Sequence, residues 1–337
     1  MQAALQACTP SGKSRSGPGT ATRTKPEVVG VSEISCFPGH DGGAWAPVPS
    51  LTVASWPAGH FAENVAVADD GTVFVSLHTH HRIDRYRPDT GELDVFCQLP
   101  APAAGMAFDA GGTLWVTGGE VGRPPGYVWR VHPDGTAQEW VQIPDALFLN
   151  GCAVLPAQQT LLAAESLTGR VVAVDQLAPA WSTWLEDGFL RPEHEQMPGA
   201  NGIKAHRGWV WVSVTDRDAI LRVPVGPDGR AGQPEPAAER LRADDFALAE
   251  SGAMYIATHV AQTVLRLDAD GTRTTIAGPA EGAVGSTACA FGRALKDRQS
   301  LYVTTNGGLT LPYDGKLQDA KLLRLEVGEH GQPLPGS

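Results

Sequence analysis

The chain has 337 residues, of which 42% are hydrophobic and 19% are charged, and this composition supports a substantial core. The formal net charge of −11 argues against a nucleic-acid-binding surface. No apolar run approaches the ~20 residues that a membrane-spanning helix requires. The 39 glycines and 26 prolines are typical of an all-β chain with many tight turns. Neither nucleic acid nor a membrane is therefore an expected partner, while the composition leaves the oligomeric state open.

Residues 1–28 are rich in Ser, Thr, Gly, Pro and basic residues. Such a segment buries too little apolar surface to order itself, so a disordered basic tail is predicted. It lacks the apolar core of a secretory signal, which favours a cytoplasmic protein. An organelle transit peptide is the alternative, since residues 1–26 contain no acid. The five cysteines form no C-x-x-C pair, which argues against structural zinc and a disulfide framework.

After a segment of β and loop character that ends at Pro57, a short apolar strand recurs six times. The copies begin at Glu63, Ala104, Asn150, Asn201, Asp244 and Thr287. A second strand follows in each copy, and its marker position is occupied by Phe74, Trp115, Leu162, Trp211, Tyr255 and Tyr302. These markers are 41, 47, 49, 44 and 47 residues apart. Each interval has room for four short strands separated by turn residues.

A period of ~40–50 residues with four strands per unit is typical of a β-propeller with one sheet per blade. The sequence therefore predicts an all-β, six-bladed β-propeller with four-stranded antiparallel blades around a central channel. The propeller is expected to span residues 29–330, with a C-terminal tail at 331–337. An open ring would leave two bare sheet edges, so a strand from residues 30–56 is expected to complete the last blade.

The first strand of every propeller blade lines the channel, so the first residues of the six repeats form an inner ring. Five of these six residues carry a side-chain oxygen, and none carries a thiol or an imidazole. Glu63 and Asp244 supply carboxylates, while Asn150 and Asn201 supply amides. This donor set predicts a divalent metal, with Ca²⁺ favoured and Mg²⁺, Mn²⁺ or Zn²⁺ as alternatives.

The second strand of each blade returns to the face where the first strand began, so its end shares that face. The residues at these ends form an outer ring: His78, Gly119, Ser166, Thr215, His259 and Asn306. This ring is interpreted as pocket wall, in which the two histidines bind substrate or transfer protons. The alternative is that they are ordinary loop histidines. The predicted substrate-binding set is Asn150, His78, Ser166, Thr215, His259 and Thr287.

At these residues the chain resembles the senescence-marker-protein/gluconolactonase/regucalcin family of six-bladed, calcium-dependent propeller lactonases. The resemblance covers roughly residues 58–327. It rests on Glu63, on the Asn-Gly pairs at Asn150 and Asn201, and on the strand led by Asp244. The resemblance implies that Glu63, Asn201 and Asp244 hold the metal. It also implies that Asn150 lies beside them toward water or substrate, and that Asp244 is the general base.

Two features depart from the family pattern. Sugar-lactone members carry an arginine two residues before the first asparagine, whereas this chain has Phe148 there, which favours a more apolar lactone or ester. Asp244 and Asp245 are adjacent, and ungapped counting to Gly252 favours Asp244 as the ligand, although a one-residue slip would exchange them.

The expected function is that of a metal-dependent hydrolase that opens a lactone or a related ester. One alternative is a non-enzymatic propeller that binds a ligand or partner and contains a structural calcium. Another is a phosphotriesterase-like hydrolase. A strictosidine-synthase-like enzyme is a weaker alternative, because that branch tends to lack the acidic ligands that Glu63 and Asp244 provide.

Overall fold

The computed structural model describes residues 43–194 and 197–333, so the predicted tail at residues 1–28 lies outside the described part. Within the described residues, 25 strands form six sheets with almost no helix. Short 3₁₀ turns lie at His78–His80, Pro156–Gln158, Gly188–Leu190, Thr215–Arg217, His259–Ala261 and Pro279–Glu281. No helix in the described ranges has the length and apolar character needed to cross a membrane.

Each sheet is one blade of a six-bladed β-propeller, which confirms the predicted fold. Two strands precede the first blade: β1 (Ala44–Trp45) and β2 (Ser50–Trp56). Blade 1 contains β3 (Ala62–Val67), β4 (Val73–Leu77), β5 (Arg82–Arg87) and β6 (Glu92–Gln98). Blade 2 contains β7 (Ala103–Phe108), β8 (Leu114–Gly118), β9 (Gly126–Val131) and β10 (Ala137–Ile143). Blade 3 contains β11 (Leu149–Leu155), β12 (Thr160–Glu165), β13 (Arg170–Asp175) and β14 (Trp181–Glu186).

The other three blades follow the same plan. Blade 4 contains β15 (Ala200–His206), β16 (Trp209–Val214), β17 (Ala219–Pro224) and β18 (Glu235–Glu239). Blade 5 contains β19 (Phe246–Leu248), β20 (Met254–Ala257), β21 (Val264–Leu267) and β22 (Arg273–Ala277). Blade 6 contains β23 (Ser286–Phe291), β24 (Ser300–Thr305) and β25 (Ala320–Glu326) and is completed by β2.

The core lies within and between the blades, and the repeat markers are part of it. All six markers fall in the second strands, as predicted, and Trp115, Tyr255 and Tyr302 are almost fully buried. The apolar clusters join neighbouring blades, since one cluster packs Val65 of blade 1 against Leu322 of blade 6. Each repeat of the sequence therefore supplies one blade and that blade's share of the core.

The ring closes through strand β2. It pairs in an antiparallel register with β25, with Ser50 opposite Leu325 and Trp56 opposite Ala320, which confirms the expected closing strand from residues 30–56. Strand β1 was not anticipated, and it adds a fifth, parallel strand to the outer edge of blade 5. Both additions cover outer-strand edges that would otherwise expose unpaired backbone groups.

Candidate functional site

The inner ring lies at one end of the channel, because every inner strand begins there. We call this the upper end, and the end where the inner strands finish the lower end. The registers pair Ala62 with Leu77, Leu149 with Glu165 and Ala200 with Val214, so strand starts meet second-strand ends. The two rings predicted from the sequence therefore share one face of the propeller.

A break in strand pairing occurs at the start of the inner strand in five blades. The register skips Glu63 in blade 1, Asn150–Gly151 in blade 3 and Asn201–Gly202 in blade 4. Corresponding breaks occur at Ala104–Gly105 and at Thr287. An irregularity of this kind releases a residue from the ladder and turns its side chain in a new direction. The candidate ligands thus lie where the backbone is free to present them.

Steric crowding explains why glycine follows the asparagine in both Asn-Gly pairs. A Cβ added to Gly151 would lie 2.6 Å from the backbone oxygen of Asn201, and one added to Gly202 would lie 2.4 Å from Oδ1 of Asp245. Gly105 is crowded in the same way by the backbone of Asn150. Inner strands approach each other closely around the axis here, and only glycine permits that approach.

Asp244 is the centre of the hydrogen-bond network at the upper end. Its Oδ1 accepts a hydrogen bond from Nδ2 of Asn201 at 2.6 Å, and its Oδ2 lies 2.9 Å from Nδ1 of His259. The Asn201 amide also donates to Thr215, whose hydroxyl donates to the backbone oxygen of Ala243. Two residues of the predicted inner ring and two of the outer ring are therefore in one connected network.

Asp245 points to different partners. Both of its carboxylate oxygens accept hydrogen bonds from Nζ of Lys204, at 2.6 and 2.7 Å, and Nδ2 of Asn64 donates to Oδ2 at 3.1 Å. The Asp245 side chain is 5% exposed, so this is a nearly buried ion pair. The adjacent aspartates thus have separate surroundings, and it is Asp244 that contacts Asn201.

Glu63 adds a further carboxyl group to this region. Burial raises its pKa well above the usual glutamate value, and the neighbouring charges of Asp244 and Asp245 raise it further. Lys204 offsets one of these three acids. The upper end of the channel therefore places three carboxyl groups around one lysine, and a bound cation would favour the charged form of Glu63.

The other predicted residues of the two rings lie at contacts between neighbouring blades. Nδ2 of Asn150 donates to Ser166, and the Ser166 hydroxyl donates to the backbone oxygen of Ala200 in the next blade. The Thr287 hydroxyl donates to the backbone oxygen of Ala62 at 2.7 Å. Ser166, Thr215 and Thr287 thus connect neighbouring blades, and a direct substrate contact for them stays a prediction.

An aromatic group borders the upper end. His78 makes edge contacts with Phe61 and Phe148, at ring-centroid distances of 6.0 and 5.9 Å, and Phe61 also makes one with His259 at 5.8 Å. Burial lowers the pKa of His78, whose Nδ1–H donates a hydrogen bond to the backbone oxygen of Ala103 at 3.0 Å. The position where an arginine was expected to contact sugar substrates is therefore part of an apolar wall.

Several residues of the site were not found by sequence reasoning. Asn64 and Lys204 were missed because they follow the ring residues Glu63 and Asn201 by one and three positions, where the sequence pattern is that of an ordinary strand. Glu165 was also missed; it is fully buried, and its Oε1 accepts hydrogen bonds from the backbone nitrogens of Leu147 and Phe148 at 3.0 and 2.9 Å. The sequence signal that could have identified Glu165 is a charged residue at the end of an otherwise apolar strand.

The donor chemistry of the upper end fits a divalent cation. Glu63 and Asp244 offer carboxylates, and no described residue donates to Oδ1 of Asn150, which leaves that oxygen available. Rotation of the Asn201 amide by half a turn would present its oxygen in place of the nitrogen that now contacts Asp244. In the described residues no group of three His, Cys, Asp or Glu side chains is arranged as a metal site, so the amides would have to complete the shell.

A cavity of about 150 Å³ lies in the other half of the channel. Its walls come from the later residues of all six inner strands, such as Val67, Val154 and Phe291. It does not include the predicted ligands at the strand starts. The two ends of the channel thus differ: the upper end contains the charged groups, and the lower end contains the apolar cavity.

Comparison with known proteins gives a clear result only for the fold. No protein-family model and no curated protein sequence matches the chain. A luciferin-regenerating enzyme superimposes with a TM-score of 0.66 at 14% identity, covering 85% of this chain and 98% of that one. A calcium-binding regucalcin from Agrobacterium tumefaciens gives 0.63 at 16%, covering 86% and 98%. A gluconolactonase from Xanthomonas campestris gives 0.61 at 17%, covering 83% and 89%.

These structures include a gluconolactonase and a regucalcin, which agrees with the resemblance inferred from the sequence. The whole propeller is shared, since each alignment covers more than four-fifths of both chains. At identities of 14–17% the likeness establishes the six-bladed fold alone.

Proposed function

We propose that the chain is a metal-dependent hydrolase that opens a lactone or a related ester at the upper end of the channel. The observation that carries this proposal is the group formed by Glu63, Asp244, Asn150 and Asn201 at the starts of four inner strands. The named activity of a gluconolactonase with the same fold supports it.

The chain's own residues have distinct tasks in this proposal. Glu63, Asn201 and Asp244 would hold the cation, and Asn150 would face water or substrate beside it. When bound, a divalent ion would polarise the substrate carbonyl and lower the pKa of a water molecule. Asp244 would accept the proton of the attacking water, and His259 holds the Asp244 carboxylate through its Nδ1 contact at 2.9 Å.

The surroundings of the site favour an apolar substrate. Phe61 and Phe148 are 4% and 8% exposed and border the site together with His78. Among the described residues no arginine stacks on these rings, whereas a sugar lactone would need polar groups to replace the water around its hydroxyls. We therefore assign an alkyl- or aryl-substituted lactone, or an aryl ester, rather than an aldonolactone.

The test is an assay of γ-lactones, aryl esters, an aldonolactone and an organophosphate, each with added Ca²⁺, Mg²⁺, Mn²⁺ or Zn²⁺ and with a chelator. Metal-dependent hydrolysis of the apolar lactones or aryl esters is expected. Activity confined to the organophosphate would support the phosphotriesterase alternative. Hydrolysis that persists unchanged in chelator would contradict the metal assignment.

A binding protein with a structural cation is the second candidate. It is favoured by the network around Asp244, in which both carboxylate oxygens already have partners in Asn201 and His259. The calcium-binding description of the regucalcin of similar fold points the same way. This candidate predicts that Ca²⁺ raises the melting temperature while no lactone, ester or organophosphate is turned over.

A further inference from the structure

The cavity at the lower end of the channel has the composition of a small-molecule site. Its walls are mostly apolar, with Val65, Met106, Phe108 and Leu248 among them. Its volume of about 150 Å³ matches the size of a cavity that holds one benzene ring. An apolar enclosure with a few converging polar groups is the usual form of a ligand pocket.

Three polar atoms around this cavity lack a hydrogen-bond partner among the described residues. They are Nε of Arg293, Nε2 of His206 and Oε1 of Gln332, and all three residues line the cavity. Buried polar atoms are rarely left without a partner, so each such atom requires an explanation. All three residues belong to the wall of one cavity, where a ligand that draws these side chains toward it would supply the missing partners.

The positive charge of Arg293 indicates that the ligand is an anion. Other arginines with an unpartnered Nε, such as Arg170 and Arg266, form an ion pair through a second nitrogen. Arg293 makes a single side-chain hydrogen bond, from Nη1 to the backbone oxygen of Gln332 at 3.0 Å, and no described carboxylate lies within ion-pairing distance of it. Burial lowers the pKa of Arg293, and the negative charge of Asp69, which is beyond ion-pairing distance, offsets this effect only in part.

The inner end of the cavity offers no second free cation. Lys204 lines it, but its ammonium group already binds both oxygens of Asp245. The available positive charge is therefore at the lower mouth, beside His206 and Gln332. An anionic group would bind at the mouth, and the body of the ligand would extend inward among the apolar side chains.

We propose that the lower end of the channel is a second binding site, separate from the upper one, for a monocarboxylate with a single-ring apolar body. The carboxylate accepts hydrogen bonds from the Arg293 guanidinium, which forms planar, paired contacts with carboxylates. His206 and Gln332 complete the polar rim. This site does not depend on the hydrolase proposal, because none of the proposed metal ligands or catalytic residues lines the cavity.

The test uses sodium benzoate as the probe, titrated into the full chain by isothermal calorimetry, with benzamide as its neutral counterpart. Benzoate is expected to bind with a Kd of about 1 mM or tighter, a modest value for so few atoms. Arg293→Met should weaken it about tenfold or more, because a charge-assisted hydrogen bond is lost. Arg298→Met is the matched control, since Arg298 is exposed and lies five residues further along.

Location is tested separately. Asp244→Asn alters the upper end and should leave benzoate binding unchanged, and crystals soaked in 4-iodobenzoate should show the iodine inside the ring of inner-strand ends. If Arg293→Met does not fold, His206→Leu should still weaken binding. The proposal is overturned by absence of benzoate binding, by equal affinity for benzamide, by equal loss in Arg298→Met, or by an iodine position at the upper end.

Discussion

The two ends of the channel are built from the same six strands and yet have opposite character. At the upper end the inner strands start with pairing breaks that present Glu63, Asn150 and Asn201. At the lower end the same strands are regular and surround an apolar cavity of about 150 Å³. The Lys204–Asp245 ion pair lies between them, with Lys204 lining the cavity and Asp245 adjacent to Asp244.

Irregular strand pairing, rather than the repeat itself, therefore creates the chemical site. Where the ladder is regular, alternate side chains pack into the neighbouring blades, and the groups that face the axis are mostly small or apolar. Where it breaks, polar side chains turn inward and their excess charge has to be balanced.

The largest effect is expected from Glu63→Gln at the upper end. Loss of one of two carboxylates should lower metal-dependent kcat/KM for an apolar lactone about 10³-fold, because electrostatic stabilisation of the transition state is lost. The free energy of unfolding without metal should stay the same or rise, since a neutral amide avoids both the burial of a charge and the repulsion from Asp244 and Asp245 that raise the pKa of Glu63. Lactone kinetics and urea unfolding measure the two quantities.

The control for this variant is Glu139→Gln, which changes an exposed glutamate on blade 2. It should leave both quantities unchanged. An active Glu63→Gln enzyme would remove the upper end from the reaction.

The next effect concerns the ion pair between the two ends. Lys204→Met leaves the nearly buried Asp245 carboxylate without its cation, which should lower the free energy of unfolding by about 3–5 kcal/mol. Lys296→Met removes an exposed pair with Asp89 and should cost less than about 1 kcal/mol. Urea unfolding compares them, and equal values would show that the channel pair is solvated rather than buried.

A smaller effect is expected from crowding at the upper end. Gly151→Ala places a Cβ 2.6 Å from the Asn201 oxygen and should lower the free energy of unfolding by about 1–3 kcal/mol. Gly188→Ala has open space around the added Cβ and should be nearly neutral. Thermal unfolding of the pair measures the difference, and a neutral Gly151→Ala would mean that the inner strands can move apart freely.

The smallest effect belongs to the lower end. Arg293→Met replaces a guanidinium without a counter-ion by an apolar side chain of similar reach, so the free energy of unfolding should change by less than about 1 kcal/mol or increase. Urea unfolding without added carboxylate measures it, beside Arg298→Met. A large loss of stability would show that Arg293 supports the fold and would remove the reason for a ligand there.

The propeller fold and the residues of the inner and outer rings could be predicted from the sequence alone. The marker spacing from Phe74 to Tyr302 requires one sheet per blade, and the need to cover a sheet edge predicted the closing strand that β2 provides. The starts of the inner strands were located within two residues, because apolar strands bounded by turn residues are a local signal.

Only the tertiary structure decided how those residues are used. Asp244 and Asp245 are neighbours in the chain, and their different partners, Asn201 and Lys204, come from another blade. The same holds for the polar rim of Arg293, His206 and Gln332, whose members are far apart in sequence. Short-range patterns fix strands because their hydrogen bonds and burial are local, whereas charge balance and enclosed space depend on which strands meet around the axis.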